Sequence, residues 1–427
     1  MTVFWILIGL YGLVVGALTW TRPVLAAGLI LATLPVYQIR FAIADIPLTL
    51  LEIELCVFVG IVFFRKRTQL RALISAPPLV PAALVAGFLA MGTLSLVWTP
   101  ELTAGLGIWK AYVIEPVLLA VAVYLSLQKS ADVAFLLRSI WILAIGVSVI
   151  ALIQYATGFG IPEPWNAWPD RRAVGVFDYP NAVGLLLAPI ISTAIAWLMY
   201  SRQWAAVWFQ SAQQQKLSVI LALLTTFLGS IAVLAARADG AIVSIVATTA
   251  LLAVFTRFRM ATIALCSLGL IAVLVVPQTR EILLFQDVSG DVRLALWKGT
   301  VNLIQHQPFT GAGIGAFPQV YDSYRLPSHV ELLQYPHNIV LDFCVEFGIF
   351  GPVWLIAFFG LTAKCLLSKR VRSYSATMLM IAPFFATMIY GLVDSPYFKN
   401  DLSVLFWLWI ALSYFILMQS IKTPEQK

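Results

Sequence analysis

A histidine at the start of a long apolar segment has the surroundings of a catalytic base. His337 follows Pro336 and stands where the next helix is predicted to begin. Backbone N–H groups at a helix start favour neutral imidazole over imidazolium, and neutral imidazole is the form that accepts a proton. Asn338, Asp342 and Glu346 follow at four-residue steps and share one face of that helix. A lone histidine is more often structural, but this pattern predicts a catalytic or substrate-binding role for His337.

Two arginines predict an anionic ligand near this histidine. Arg237 lies in a short turn between two otherwise uncharged apolar segments, where an arginine is costly unless it snorkels or is paired. The simple alternative is a local pair with Asp239. Arg293 lies in a predicted amphipathic helix at about 291–305, whose apolar face suits the membrane surface, and it shares a neighbouring face with Trp297. Planar guanidinium groups bind phosphate oxygens two at a time, so both arginines suit a phosphate-bearing substrate.

Two polar segments interrupt the apolar sequence, and we name them loop one (155–181) and loop two (277–337). Loop one places Arg171 and Arg172 close to two tryptophans and to several glycine and proline residues. Aromatic rings beside paired guanidinium groups can stack on a sugar and hold an anion. The alternative is an aromatic belt at a membrane interface. The arginines of loop one are therefore second-rank candidates for contact with the substrate.

The composition indicates a polytopic membrane protein. Of the 427 residues, 61% are hydrophobic and only 11% are charged, and the mean hydropathy is +0.92, far from the balance of a soluble domain. Apolar runs long enough to cross a bilayer recur along the whole length, which predicts an all-α bundle of about 12 to 13 transmembrane helices in one domain, residues 1–427. The predicted spans are 3–20, 24–38, 47–64, 79–98, 106–126, 133–154, 182–199, 217–235, 239–256, 260–276, 338–363, 375–393 and 401–420.

The basic residues predict the orientation of this bundle. Lysines and arginines gather in loops on one side, for example at 65–71, 257–259 and 369–372, and that side is expected to be cytoplasmic. Loops one and two then lie outside the cytoplasm, and residues 3–20 are expected to remain as a span. No basic stripe interleaves with aromatic residues, which argues against nucleic-acid binding. The four cysteines lie in or beside apolar runs without metal-type spacing, so no metal site is expected.

The order of these motifs resembles the bacterial O-antigen ligase and Wzy-type polymerase family. The likeness covers about residues 155–355 and depends on an ordered set of residues rather than on one motif. In chain order these are Arg171-Arg172-x-x-Gly175-x-Phe177-x-x-Pro180-Asn181, Arg237, Arg293 with Trp297, Pro308 with Gly311-x-Gly313-x-Gly315-x-Phe317, and His337-Asn338-x-x-Leu341-x-x-x-x-Glu346-x-Gly348-x-x-Gly351. The family often continues His-Asn with an aromatic residue, whereas this chain has Ile339.

The resemblance implies a metal-independent, inverting membrane glycosyltransferase of surface polysaccharide biosynthesis, without a cofactor. Its donor would be a polyprenyl-diphosphate-linked glycan, and its acceptor a hydroxyl of another glycan, a lipid A core or a similar group. The reaction would take place on the outer face of the bacterial cytoplasmic membrane. His337 would act as the base and the four arginines would hold the diphosphate. Trp297, Tyr321, Asn338 and Glu346 would position the reacting groups.

Three alternatives remain open at this level. Ligase, polymerase and protein O-glycosyltransferase differ only in the acceptor, which one sequence does not identify. A transporter of a small anion or of a lipid-linked glycan is a different class. It would place its charged residues near mid-bilayer on broken helices in related halves, whereas here they gather in loops. A membrane scaffold without activity would leave Arg237, Arg293 and His337 unexplained.

Overall fold

The chain folds as an almost entirely helical bundle. A computed structural model describes residues 2–43, 46–76, 79–200, 208, 211–276, 280–281, 284–286, 288–326, 333–366 and 374–422. Within these residues the only strands are a short antiparallel pair, β1 (Arg40–Ile43) and β2 (Ile46–Thr49), in which Arg40 lies opposite Thr49. The predicted all-α membrane fold is confirmed. His329 lies outside the described residues, as do parts of loop two.

The helices of the first half are connected by short loops, except at loop one. They are α1 (Thr2–Thr21), α2 (Pro23–Ala32), α3 (Leu50–Arg65), α4 (Arg67–Ser75), α5 (Leu79–Ser95), α6 (Leu102–Ile108), α7 (Glu115–Ser126), α8 (Ser130–Thr157) and α9 (Pro180–Tyr200). A 3₁₀ turn, Leu34–Gln38, follows α2, and a π-helical stretch, Trp109–Ile114, joins α6 to α7.

The second half carries loop two between its membrane helices. Its elements are α10 (Ala212–Ala235), α11 (Asp239–Val254), α12 (Arg259–Val275), α13 (Val288–His306), α14 (Phe317–Tyr321), α15 (Ile339–Phe347), α16 (Phe350–Leu366), α17 (Tyr374–Gly391) and α18 (Asn400–Lys422).

Twelve of the described helices have the apolar composition of membrane segments. Six are long enough to cross a membrane by length and composition, and six shorter ones have 10–17 residues. The predicted span 24–38 is one of the short ones. Pro35 follows soon after α2, and ten helical residues rise only about 15 Å, half of what the hydrocarbon core requires. This segment therefore contributes a half-length helix.

Helix α9 lies at the centre of the bundle and positions loop one. It packs against α8, α10, α11 and α17, and most of its side chains are buried. The glycine Gly184 lets this helix approach its neighbours closely, because an added Cβ would lie 2.7 Å from the Cβ of Ala238 and 2.8 Å from that of Ala241. The end of loop one at Tyr179 is therefore held against the turn that follows α10.

Helix α15, which we call the histidine helix because it starts directly after His337 and Asn338, is short and separate from the membrane segment after it. The predicted span 338–363 is wrong as one continuous helix, because α15 ends at Phe347 and α16 begins at Phe350. Gly348 has a φ of +61°, a backbone conformation that glycine adopts without strain. A Cβ at this position would overlap the carbonyl oxygen of Phe309, so close packing of loop two against this turn requires the glycine.

Loop two has a small apolar core of its own, which we call the loop-two core. Its buried residues are Leu296, Leu303, Ala312, Phe317, Tyr321 and Val345. The predicted amphipathic helix exists as α13, but the expectation that its apolar face lies on the membrane is wrong for Leu296 and Leu303. Burial against a second apolar surface removes the same area from water. Helix α13 therefore packs against α15 and does not lie free on the membrane surface.

Candidate active site

His337 lies in the turn directly before α15. Its φ is +50°, an uncommon conformation for a residue that is not glycine. The Asn338 side chain caps the helix by accepting hydrogen bonds from the N–H groups of Val340 at 3.0 Å and Leu341 at 3.2 Å. Its amide also donates to the carbonyl oxygen of Leu392 at 2.9 Å. Asn338 thus fixes the helix start and ties it to the turn after α17.

A carboxylate holds the imidazole ring. Nδ1 of His337 lies 2.9 Å from Oδ1 of Asp394, a fully buried residue in the turn between α17 and α18. An ionised carboxylate only accepts hydrogen bonds, so Nδ1 carries the proton and donates it. This leaves the Nε2 lone pair as the basic site of the neutral ring, and within the described residues Nε2 has no hydrogen-bond partner. The His337 side chain is 19% exposed.

The surroundings of Asp394 keep its carboxyl ionised. Burial acts to raise the pKa of Asp394. Its hydrogen bonds to His337 and to the backbone N–H of Ser395 act in the opposite direction, and so does the charge of Arg293. The net result is a pKa below the ordinary value of an aspartate. The carboxylate is therefore charged at neutral pH and fixes the tautomer of the histidine.

A chain of hydrogen bonds connects this pair to loop one. The amide of Asn181 donates to Oδ2 of Asp394 at 3.1 Å, and its oxygen accepts from Nη2 of Arg172 at 2.9 Å. Arg172 also donates to the carbonyl oxygens of Ala236 at 2.9 Å and Arg237 at 3.1 Å. The order Arg172, Asn181, Asp394, His337 thus links three parts of the chain. Because Arg172 makes these bonds to protein groups, it stabilises the contact between loop one and the turn after α10.

Arg293 is a cation whose charge reaches the carboxylate that holds His337. It lies on α13, half-buried, and its charge acts on Asp394, Arg172 and Tyr390. Among the described residues it has neither a hydrogen bond nor an ion pair. A half-buried guanidinium without a partner has all five donors available for an anion.

The other two predicted arginines are engaged to different degrees. Nη1 of Arg237 lies 2.9 Å from Oδ1 of Asp170, so this arginine pairs with loop one and not with Asp239. Both side chains of the pair are substantially exposed, at 47% and 79%. Arg171 turns back onto α8, where Nη1 donates to the carbonyl oxygen of Tyr155 at 3.1 Å, while its Nε is buried and has no hydrogen-bond partner in the described part of the chain.

Aromatic side chains from both loops surround the histidine. The ring of Tyr335 packs edge-on against that of His337 with centroids 4.9 Å apart, and its hydroxyl donates to the hydroxyl of Tyr179 at 2.8 Å. Nε1 of Trp297 donates to the carbonyl oxygen of Pro336 at 3.0 Å. These contacts fix the peptide that leads into the histidine from two sides. Trp297 therefore holds the backbone next to His337.

Glu346 positions a glycine-rich turn of loop two. Its Oε2 accepts a hydrogen bond of 2.8 Å from the N–H of Gly315, and the side chain is buried. Gly311, Gly313 and Gly315 all have positive φ values, between +61° and +86°. A Cβ on Gly311 would lie 2.4 Å from the carbonyl oxygens of the α15 segment at residues 344–345. The alternate glycines thus let the turn close over the histidine helix.

Tyr321 lies inside the loop-two core and not at the site surface. It is fully buried, and its ring stacks on Phe317 with centroids 4.9 Å apart. The positioning role that the sequence predicts for Tyr321 stays a prediction, and its burial allows such a role only through the packing of α13. The neighbouring Gly299 has no room for a side chain against the Tyr321 ring.

Sequence reasoning missed Tyr335, which packs against the His337 ring, and two charged residues of this site. Asp394 lies 57 residues after His337, in a short turn between two apolar segments. Lys399 lies in the same turn, and its ammonium group is 4.1 Å from the ring centre of Phe177 and 5.1 Å from that of Tyr179. The signal available in the sequence was the presence of two charged residues in one short turn between apolar segments. Burial lowers the pKa of Lys399, and Asp401, Asp178 and Asp394 oppose this shift.

The segment that carries most of these residues matches a known family. Residues 224–359, about a third of the chain, match the family model described as O-antigen ligase. The match contains Arg237, Arg293 and His337, whereas Arg172 and Asp394 lie outside it. A search of curated proteins returned no match to the chain. The resemblance at the family level is thus confirmed for this segment.

Proposed function

We propose a glycosyl transfer reaction, on the premise that this chain is a membrane protein of the O-antigen ligase family. The donor is a polyprenyl-diphosphate-linked glycan and the acceptor is a hydroxyl group. The single observation that supports this function most is the His337–Asp394 hydrogen bond with an unpaired arginine beside it. A base and a phosphate-binding cation are the two groups that such a transfer requires.

In the proposed reaction, Nε2 of His337 takes the proton of the acceptor hydroxyl. The acceptor oxygen forms a bond to the anomeric carbon while the bond from that carbon to the diphosphate oxygen breaks. The electron pair of the broken bond leaves with the diphosphate. Attack opposite to the leaving group inverts the anomeric centre. The Asp394 carboxylate stabilises the imidazolium that forms, as a buried acid does in other His–Asp pairs.

Arg293 is the proposed principal contact to the diphosphate, because its guanidinium has no partner among the described residues. Arg237 is a second contact. Its exposed ion pair with Asp170 contributes little to stability, so an incoming phosphate can replace the carboxylate. Arg172 supports both, since it holds the backbone of Arg237 and the amide of Asn181. Arg171, whose Nε is unpaired, is a contact to the glycan or the diphosphate.

The remaining predicted groups have supporting roles in this proposal. Trp297 and Asn338 fix the two peptides that flank His337, and Glu346 fixes the glycine turn. The site lies on the outer side of a bacterial cytoplasmic membrane, as the positive-inside pattern predicts. Polar hydroxyl acceptors reach the base from that side, while the polyprenyl tail stays in the bilayer. No metal or cofactor takes part in the proposed steps.

Glycan transfer by the purified protein tests this function. The protein in detergent or nanodiscs is supplied with a polyprenyl-diphosphate-linked oligosaccharide, candidate acceptors and a chelator, and products are separated by size. We expect chelator-resistant product with wild type and a loss of about 10²–10⁴-fold with His337→Ala. His306→Ala is the matched control, because His306 is exposed on α13 and its contacts among the described residues, the carbonyl oxygen of Asn302 and the ring of Tyr324, do not include the His337–Asp394 pair.

The product pattern also separates the acceptors. A ladder of sizes indicates a polymerase, a single addition to a lipid A core indicates a ligase, and product on a serine or threonine peptide indicates a protein glycosyltransferase. Equal activity of wild type and His337→Ala would refute the proposed base. Movement of an anion or a lipid-linked glycan across liposomes, without any transfer and independent of His337, would replace the enzyme with a transporter.

A further inference from the structure

A large apolar cavity lies in the half of the bundle away from His337. Its volume is about 590 Å³, and it is bounded by α4, α5, α7, α16, α17 and α18. Representative lining residues are Leu73, Leu84, Val121, Phe358 and Tyr414. None of the described residues that line it is charged. This chemistry suits a hydrocarbon chain and not a sugar or a phosphate.

The cavity is separated from the histidine by packed aromatic rings. Trp354 at its inner end stacks on Phe343 of the histidine helix, with ring centroids 6.1 Å apart. Phe88 lies 4.9 Å from Trp354 and 5.1 Å from Trp407. From this layer the lining residues of α18 continue from Trp407 to Leu417, away from the histidine. A chain in the cavity therefore comes from the opposite leaflet.

Helix α4 covers the far end of the cavity with an apolar face. Leu73 and Ile74 line the cavity, and Leu70 packs against the main core. At helical spacing these three share one side, with Arg67 and Arg71 along one edge of it. Both arginines are exposed. The helix thus joins a hydrocarbon surface to a pair of cations at its edge.

The segment that contains α4 carries charge of one sign. Residues 65–76 contain Arg65, Lys66, Arg67 and Arg71 and no acidic residue. Arg65 is engaged, since it donates a hydrogen bond to the carbonyl oxygen of Trp20 and its guanidinium lies 5.1 Å from the Trp20 ring centre. Arg67 lies 5.6 Å from the ring centre of Phe64, a contact to the face of the ring that leaves its N–H donors available to a phosphate. Basic side chains at a membrane surface attract anionic headgroups. Arg67 and Arg71 therefore complement the phosphate of a lipid whose hydrocarbon lies under α4.

We propose that this cavity binds one acyl chain of an anionic phospholipid, with the headgroup phosphate at Arg67 and Arg71. The lipid belongs to the leaflet opposite the candidate active site. It fills the space between α5 and the α7–α18 pair and so supports the aromatic layer beneath the histidine helix. This inference is independent of the proposed reaction, because it uses none of the residues assigned to it.

Native mass spectrometry of delipidated protein tests the proposal. The protein is titrated with phosphatidylglycerol or phosphatidylcholine of identical acyl chains, and bound lipids are counted. We expect one tightly bound phosphatidylglycerol and weaker binding of phosphatidylcholine. Arg67→Gln with Arg71→Gln should weaken phosphatidylglycerol binding about 25-fold, since each basic residue contributes about fivefold, or about 1 kcal/mol. Arg257→Gln with Arg259→Gln is the control and should leave binding unchanged; both arginines are exposed, Arg257 in the turn before α12 and Arg259 at its first residue.

A second pair of variants tests the acyl chain itself. Ala82 lines the cavity and Ala83 does not, so Ala82→Trp should abolish retention of the tight lipid while Ala83→Trp retains it. Thermal unfolding shows that each variant is folded, and the arginine variants lie outside the core. Three results would overturn the proposal. They are equal binding of phosphatidylglycerol and phosphatidylcholine, retention of the tightly bound phosphatidylglycerol by both the double arginine variant and Ala82→Trp, and displacement of the phospholipid by polyprenyl diphosphate.

Discussion

Asp394 accepts a hydrogen bond of 2.9 Å from Nδ1 of His337 although 57 residues separate them in the chain. Two other groups, the Asn181 amide and the Ser395 N–H, bind the same carboxylate. All partners of this buried acid are therefore donors. The arrangement orients one nitrogen of the imidazole towards protein and leaves the other to accept a proton.

Asp394→Asn is expected to reduce glycan transfer about 10²–10⁴-fold, because a neutral amide no longer fixes the tautomer or stabilises the imidazolium. The rate constant of transfer at saturating donor is the measurement. The exposed neighbour Asp178 provides the control, and Asp178→Asn should stay within a few-fold of wild type. A transfer rate of Asp394→Asn equal to that of the control would show that the pair is structural only.

Arg293→Ala is expected to reduce transfer about 10²–10³-fold, since it removes a cation from the departing diphosphate. Arg293→Lys should restore only part of this loss, because an ammonium group cannot bind two phosphate oxygens in the same plane. The exposed Lys298 on the same helix is the control, and Lys298→Ala should behave as wild type. Full activity of Arg293→Ala would move the role of principal contact to Arg237.

Arg172→Ala should affect stability as well as activity, in contrast to Arg293→Ala. Arg172 holds two backbone carbonyls and the amide of Asn181, and loss of charged hydrogen bonds costs about 1.5–3 kcal/mol each. The expected result is a lower Tm together with slower transfer. Measurement of Tm for both arginine variants separates the structural role of Arg172 from the substrate-binding role of Arg293. An unchanged Tm for Arg172→Ala would argue against the structural role.

The lowered pKa of Asp394 predicts a specific dependence of stability on pH. A carboxyl whose folded-state pKa lies below its unfolded value of about 3.9 stabilises the fold above that value. This stabilisation is lost as the pH falls through the folded-state pKa. The Tm difference between wild type and Asp394→Asn should therefore be constant from about pH 5 to 8 and shrink below about pH 4. A difference that is largest in acid would contradict the sign of the shift.

Gly311→Ala is expected to destabilise the protein. The left-handed backbone conformation alone costs about 1–3 kcal/mol for a residue other than glycine. The total should be larger, because the backbone of α15 must also move to make room for the new Cβ. The new Cβ would meet carbonyl oxygens of α15 at 2.4 Å. Gly360→Ala is the control, since nothing lies within 4 Å of its Cβ position on α16, and it should be neutral or stabilising. Chemical or thermal unfolding measures both, and equal effects would contradict the close approach.

Much of the fold follows from apolar segment lengths, but the partners of the charged residues do not. Helical periodicity predicts α13 and its apolar residues, while the surface that covers Leu296 and Leu303 comes from residues of loop two more distant in sequence. Arg237 illustrates the same limit. Its local partner by spacing is Asp239, yet the fold brings Asp170 within 2.9 Å. A salt bridge depends on three-dimensional packing, which spacing within one loop does not report.

The break at Gly348 also could not be read from hydropathy. Residues 338–363 are apolar enough to be predicted as one membrane span. Glycine is common inside membrane helices, so Gly348 alone does not indicate a break. Only the contact of this turn with Phe309 shows why the chain must bend there. The histidine helix belongs to loop two in its packing, although its composition is that of the membrane.

The hydrogen-bonded series from Arg172 to His337 sets the smallest unit that can be exchanged between related proteins. A chimera that grafts residues 224–359, the segment that matches the family model, onto a protein with the same match would import the histidine and Arg293 but leave the carboxylate that fixes the tautomer and its amide partner to the host protein. We therefore expect an intact His337–Asp394 pair only in a chimera that also contains residues 155–181 and 392–399 of this chain. Recombination within the gene would meet the same constraint, because a crossover between the codons of His337 and Asp394 would separate the two partners of this hydrogen bond.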